Sequence, residues 1–343
     1  MERITELEDF FLRYKDFLRH RQAWMGIAMM LIILFHIPTT LEVPVLHQLQ
    51  MLGYCGVDIF FFASGIGCYF SLSKDEDAGR FMLRRLRKLG PTYLVFIVFW
   101  LLAQMVCGNA NFQMAVGNLF AIQSFTGLGQ DLNWYVSAIF LFYLLTPYFK
   151  QIADRASTRN KVLFLLALIA VSIPFWHSGN MLLTMTRLPI YYLGVLFATL
   201  CREDRKIAKP TYLAMVVSIA TGAAMLAVFF LCFPEQLWTM GLYWYPFILL
   251  TAPMCMILSS LMALLEKSKI TKPIADGVSL VGKYSFEVCL IHVPLIALID
   301  WCIHNLGLEK WQLLLWLGGL VVLVAGCFLL RKLTALCVKF FEK

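Results

Sequence analysis

The sequence predicts an all-α, polytopic integral membrane protein of about ten transmembrane helices, with both termini in the cytoplasm. Three observations predict it. Of the 343 residues, 60% are hydrophobic and only 15% are charged, and the mean hydropathy is +0.75. A soluble domain carries about 25% charged residues. The apolar residues also fall into ten runs, each near the ~20 residues that a bilayer requires. Their cores are 24–41, 54–72, 91–107, 133–149, 161–176, 187–201, 211–233, 241–265, 280–304 and 311–330. Finally, the basic residues alternate from loop to loop. The N-terminal segment, the even-numbered loops and the C-terminal tail hold 27 of the 29 Lys and Arg, and the remaining loops hold only Arg187 and Lys310. By the positive-inside rule the basic side is cytoplasmic. The composition and map fit a multi-pass protein of the cell membrane, with membrane lipid as a partner and no nucleic-acid partner expected.

One domain over 1–343 is the simplest description: an amphipathic segment over 1–23, then a bundle over 24–337. The first 23 residues are charged and no small-residue cleavage site follows the first apolar run, so no cleavable signal is expected. Thr5 and Glu8 have capping-box spacing. Phe10, Phe11, Tyr14, Phe17 and Leu18 then form an apolar stripe, which predicts a helix over 5–20, lying on the membrane or packed on protein.

The first run, Met25 to His36, places one histidine in its outer half. An ionisable group at such depth marks function by default, the alternative being a packing histidine bonded to a neighbouring helix. The second run opens Gly56-Val57-Asp58. Asp58 lies at a depth similar to His36 on the next, antiparallel helix. A carboxylate there either orients the imidazole as a base or caps its own helix N-terminus. Ser64 is a candidate nucleophile or a structural residue, and Gly65 and Gly67 favour close helix packing. Phe81 to Pro91 is a cytoplasmic basic cluster. It either anchors to anionic lipid or binds phosphate. Arg84 and Arg87 share one helix face, and Arg85 and Lys88 the adjacent one.

Residues 108–132 are less apolar and read as an interfacial or re-entrant piece. Pro38, Pro147, Pro174, Pro189, Pro253 and Pro294 fall inside or near the ends of runs, where they bend helices. Glu287 and His292, both in the ninth run, are five residues apart and do not share a face well. The ten cysteines lie in or beside apolar runs without a CxxC pair or zinc spacing, so they read as small apolar fillers and no metal is expected.

These motifs resemble, in order and over nearly the whole chain, those of the membrane acyltransferase-3 family of multispan O-acyltransferases. The resemblance is carried by Gly26 through His36, Gly56-Val57-Asp58-Ile59-Phe60-Phe61 with Ser64-Gly65, and Phe81 through Pro91 with Lys88 in the last basic place. It continues through Trp134, Tyr143 to Pro147, Arg187-Leu188-Pro189 with Gly194, and Tyr284 through His292, where Cys289 stands in place of the usual Tyr. One position departs: Met25 stands where the family usually has arginine.

The resemblance implies transfer of an acyl group, commonly acetyl, from cytoplasmic acyl-CoA to a hydroxyl of an extracytoplasmic glycan or lipid-linked glycan. His36 is then the general base, or less favourably a transient acyl carrier, with Asp58 beside it. Arg84, Arg85, Arg87 and Lys88 hold the coenzyme A phosphates, and Glu287 lines the donor tunnel. Asp131, Trp134, His177 and Asp300 are acceptor-side candidates, and His292 is a mid-membrane residue whose expected role is structural. Helical side chains lean toward the N-terminus, so Arg21 is expected to snorkel to the interface and not to replace the arginine missing at Met25. A homo-oligomer stays open. The rival reading, a transporter or flippase of a glycolipid or small solute, accounts for the spans and buried ionisable groups as a proton path. It leaves the basic cluster and the order of motifs unexplained, and no internal repeat supports it.

Overall fold

In hydrocarbon every backbone N–H and C=O must find its partner inside the segment, so apolar runs of this length fold as helices. The computed structural model describes residues 13–38, 44–128, 134–203 and 205–341. Thr5, Glu8, Phe10, Phe11 and Asp131 lie outside them. The helices are α1 (Tyr14–Leu18), α2 (Arg21–His36), α3 (Pro44–Leu52), α4 (Gly56–Lys74), α5 (Ala78–Val106), α6 (Phe112–Leu119), α7 (Gln123–Thr126) and α8 (Trp134–Arg155). They continue as α9 (Thr158–Ser172), α10 (Asn180–Arg202), α11 (Lys209–Cys232), α12 (Gln236–Thr239), α13 (Tyr245–Glu266), α14 (Lys272–Lys283), α15 (Ser285–Asn305) and α16 (Gln312–Phe341).

Among the described residues nine helices are long and apolar enough to cross a membrane. The tenth expected span, α2, is apolar but has 16 residues. That is about 24 Å of helix, short of a ~30 Å hydrocarbon core.

Three of the boundaries that differ from the hydropathy reading bear on the site. The third span begins at Ala78, not 91, capped by the Asp77 carboxylate, which accepts from the Arg80 amide at 2.7 Å. The basic cluster therefore rides on the same helix as the span. The sixth begins at Asn180, not 187, which carries Arg187 well inside it. The ninth begins at Ser285, after α14 has ended at Lys283. Hydropathy draws boundaries where charge begins, whereas a helix continues through charges that face protein, as at Arg187, or that stay exposed, as at Arg87.

α4 and α10 form the centre and bury most of their length, while α11 buries only Gly222. The helix that is apolar all round faces outward, the inverse of a soluble bundle. Small residues set the closest crossings, as expected where backbones must approach without side chains between them. A Cβ on Gly65 would collide with the Tyr191 carbonyl, and one on Gly194 with the Phe62 carbonyl. The same reciprocal fit joins α2 to α14, Gly26 lying against Val278 and Gly282 against Gln22. The described part of the N-terminal stripe packs on protein: Tyr14 and Phe17 are buried, and the Tyr14 ring meets Phe197 edge-on at 5.6 Å.

Candidate active site

A cavity of about 660 Å³ opens among α2, α4, α5, α8 and α15. Its lining changes from cationic to aromatic along its length. Arg21, Arg85 and Lys88 line one end, Met25, Ala63, Ser64 and Gly67 the middle, and His36, Tyr54, Trp134 and His292 the other end. Along α2, Arg21 and His36 are about 22 Å apart at 1.5 Å per residue. A second cavity of about 570 Å³ adjoins the basic end and shares Arg21, Arg85 and Lys88 with it.

At the basic end the structure corrects two expectations. Arg21 does not snorkel away. Its Nη1 donates to the Ala63 carbonyl at 3.3 Å, and it occupies the space where a Cβ on Gly67 would be. The missing side chain at Gly67 makes room for the guanidinium between α2 and α4. A cation that finds a protein cavity and a carbonyl acceptor has no need to reach the interface. The carbonyl of the same Gly67 accepts from Arg85 Nη2 at 2.6 Å, and Arg85 lies 5.4 Å from the Phe81 ring centroid and 5.7 Å from that of Tyr143.

The second expectation concerns the paired face, of which Arg84 lines the second cavity and Arg87 does not. Arg84 donates to the Asp75 carboxylate at 2.8 Å and to the Ser71 carbonyl at 3.1 Å. Hydrogen bonds from Arg80 and Arg84 hold the Asp75 carboxyl at about 2, well below the usual carboxylate range. Arg87 is exposed and lines neither cavity. The face turned to the larger cavity is that of Arg85 and Lys88. Helix phase, which spacing alone leaves undetermined, decides between the two faces.

At the aromatic end, His36 Nδ1 lies 2.8 Å from the Ile32 carbonyl of its own helix. A carbonyl only accepts, so this assignment puts the hydrogen on Nδ1 and leaves a lone pair on Nε2. His292 Nδ1 is held in the same way, 3.0 Å from the Val288 carbonyl and 2.9 Å from that of Cys289. The two rings meet edge-to-face with centroids 5.1 Å apart.

Asp58 sits in the first turn of α4, as its helix-terminus reading expected, and does not orient His36. It is fully buried and pairs with Arg187, Nε to Oδ1 at 3.3 Å. Arg187 lies over three rings, 4.2 Å from the centroid of Trp244, 5.0 Å from that of Tyr54 and 5.4 Å from that of Trp134. Its Nη1 donates to Thr186 Oγ1 at 3.2 Å. A lone buried charge is very costly, so the pair and the ring faces hold each other in place. Tyr54 and Trp134 line the cavity, and the ion pair stands behind them.

The other expected residues divide. Ser64 lines the cavity beside Tyr135. Trp134 is at the aromatic end, but His177 and Asp300 are not in the cavity: His177 is exposed, and Asp300 pairs with His304 at 3.4 Å on α15. Glu287 is buried near Cys327 of α16 and does not line the tunnel it was expected to line. The nearness of His36 and His292 and the inward turn of Arg21 had no signal in spacing. Arg187 had one, as a rare basic residue on the sparsely charged side. Among the described residues no cluster of three or more His, Cys, Asp or Glu could hold a metal ion.

A family model described as an acyltransferase domain, that of the acyltransferase-3 family, matches residues 25–332. No curated protein and no solved structure matches the chain.

Proposed function

The chain belongs to the acyltransferase-3 family and is a membrane acyltransferase; from that premise we propose that it is an O-acyltransferase using cytoplasmic acyl-CoA, with acetyl as the transferred group. The acceptor is a hydroxyl of an extracytoplasmic glycan or lipid-linked glycan. One observation carries this reading: a single cavity has Arg21, Arg85 and Lys88 at one end and the lone pair of a histidine at the other. Arg21, Arg85 and Lys88 hold the phosphates of coenzyme A as charge-assisted partners. The pantetheine arm follows the wall past Met25, Ala63 and Ser64 and delivers the thioester to the aromatic end.

There His36 Nε2 takes the proton of the acceptor hydroxyl as that oxygen attacks the acyl carbon. The Ile32 carbonyl fixes the tautomer and steadies the imidazolium that forms. This is the role that sequence reasoning gave to Asp58. Met25, in the apolar middle stretch, leaves phosphate binding to the mouth.

The experiment is thiol release from acetyl-CoA by purified protein in detergent. His36→Ala is expected to lower the rate about 10²–10⁴-fold, the usual contribution of a positioned base, with folding intact. A well-folded His36→Ala protein that releases thiol at the wild-type rate would remove the base assignment. Mass spectrometry of envelope glycans from cells with and without the gene identifies the acceptor.

A further inference from the structure

His292 has no part in the reaction described so far, yet its ring is the nearest imidazole neighbour of His36, 5.1 Å away, and both line the same cavity. Its Nδ1 is held by two backbone carbonyls of its own helix, so Nε2 carries the lone pair. That nitrogen is buried and has no hydrogen-bond partner among the described residues. A buried acceptor without a partner is costly to keep. Among the described residues no carboxylate serves either ring: Asp58 is paired with Arg187, and Glu287 lies near Cys327. The basic neighbour available, among the described residues, to a proton that arrives on His36 is therefore His292.

We propose that His292 is the proton-accepting partner of His36, so that the two imidazoles form a relay between acceptor hydroxyl and leaving thiol. The inference rests on the acyl-transfer reading given above. The new oxygen–carbon bond forms as the carbon–sulfur bond breaks. The hydroxyl proton passes to His36 Nε2, from there to His292 Nε2, and finally to the departing thiolate. Both rings end neutral, and nothing is oxidised or reduced.

The test uses the full chain, acetyl-CoA as donor and glycerol as a simple hydroxyl acceptor, with thiol release as the readout and calorimetry of coenzyme A as the binding control. His292→Asn keeps a side-chain N–H to donate to the Val288 and Cys289 carbonyls but has no distal base. The relay predicts a kcat lower by about 10²-fold with coenzyme A affinity unchanged, within the range for a lost proton-transfer group. A structural role predicts wild-type kcat, and that result overturns the relay.

If His292→Asn loses coenzyme A binding, His292→Ala with added imidazole decides. Restoration by imidazole but not by thiophene, a ring of similar size with no basic nitrogen, supports the relay. Equal restoration by both, or by neither, overturns it. Should wild-type protein release no thiol at all, the acyl-transfer reading itself falls. Should His36→Ala abolish release while His292→Asn does not, only the relay falls.

Discussion

At the scale of single residues, Arg21 depends on two neighbours that contribute no chemistry of their own. Arg21 reaches the cavity because Gly67 has no side chain, and Ala63 offers it a carbonyl. Arg21→Ala should weaken coenzyme A binding about tenfold or more, since a charge-assisted hydrogen bond is worth roughly 1.5–3 kcal/mol. Met25 lines the same cavity one turn further along α2. Arg21→Ala combined with Met25→Arg should therefore recover much of the affinity. Gly67→Ala, which displaces the guanidinium, should resemble Arg21→Ala. Calorimetry measures all three, and wild-type affinity in Arg21→Ala would return the arginine to the interface. Asp58 and Arg187 answer to a different measurement. Asp58→Asn leaves a fully buried cation unpaired, which costs about 3–5 kcal/mol. Its thermal unfolding temperature in detergent should fall clearly, and Asp58→Leu with Arg187→Met should regain most of the loss. If the double variant is no better than Asp58→Asn, the pair does more than neutralise charge.

At the scale of elements the site is held by helix crossings, and these were partly legible in the sequence. The apolar runs located the helices because bilayer length and backbone satisfaction leave little choice. His36 stood out because an ionisable group in such a run is rare. Which face of α5 turns inward was not legible, since Arg84/Arg87 and Arg85/Lys88 have identical spacing and only the packing of α5 against α4 separates them. The depth of Arg187 was hidden by the boundary itself, drawn at the charge when the helix begins at Asn180. The α2–α14 crossing brings Gly282 and Lys283 to the mouth of the cavity. Gly282→Val would drive a side chain into the Gln22 carbonyl and force the helices apart. Overpacking of this kind costs about 1–3 kcal/mol. A lower unfolding temperature together with weaker coenzyme A binding is expected, and an unchanged unfolding temperature would mean that the crossing relaxes freely.

Across the whole molecule the arrangement is a polarity gradient: a basic mouth, an apolar middle and an aromatic end with two imidazoles. The most apolar helices lie outside and the more polar α4 and α10 lie within, so buried charge is shielded by protein on every side. The gradient itself was not visible in the chain, because its ends come from α2, α4, α5, α8 and α15, which are distant in sequence. The positive-inside count predicts that the basic mouth faces the cytoplasm. The central claim is that one cavity both binds the donor at its basic mouth and reacts it at His36. Calorimetry of coenzyme A and thiol release from acetyl-CoA, measured side by side on two variants, test it most directly. Arg85→Ala with Lys88→Ala should weaken coenzyme A binding at least tenfold, whereas His36→Ala should bind coenzyme A as wild type does and release almost no thiol. Wild-type binding in the Arg85/Lys88 variant, or wild-type thiol release in His36→Ala, would contradict the account.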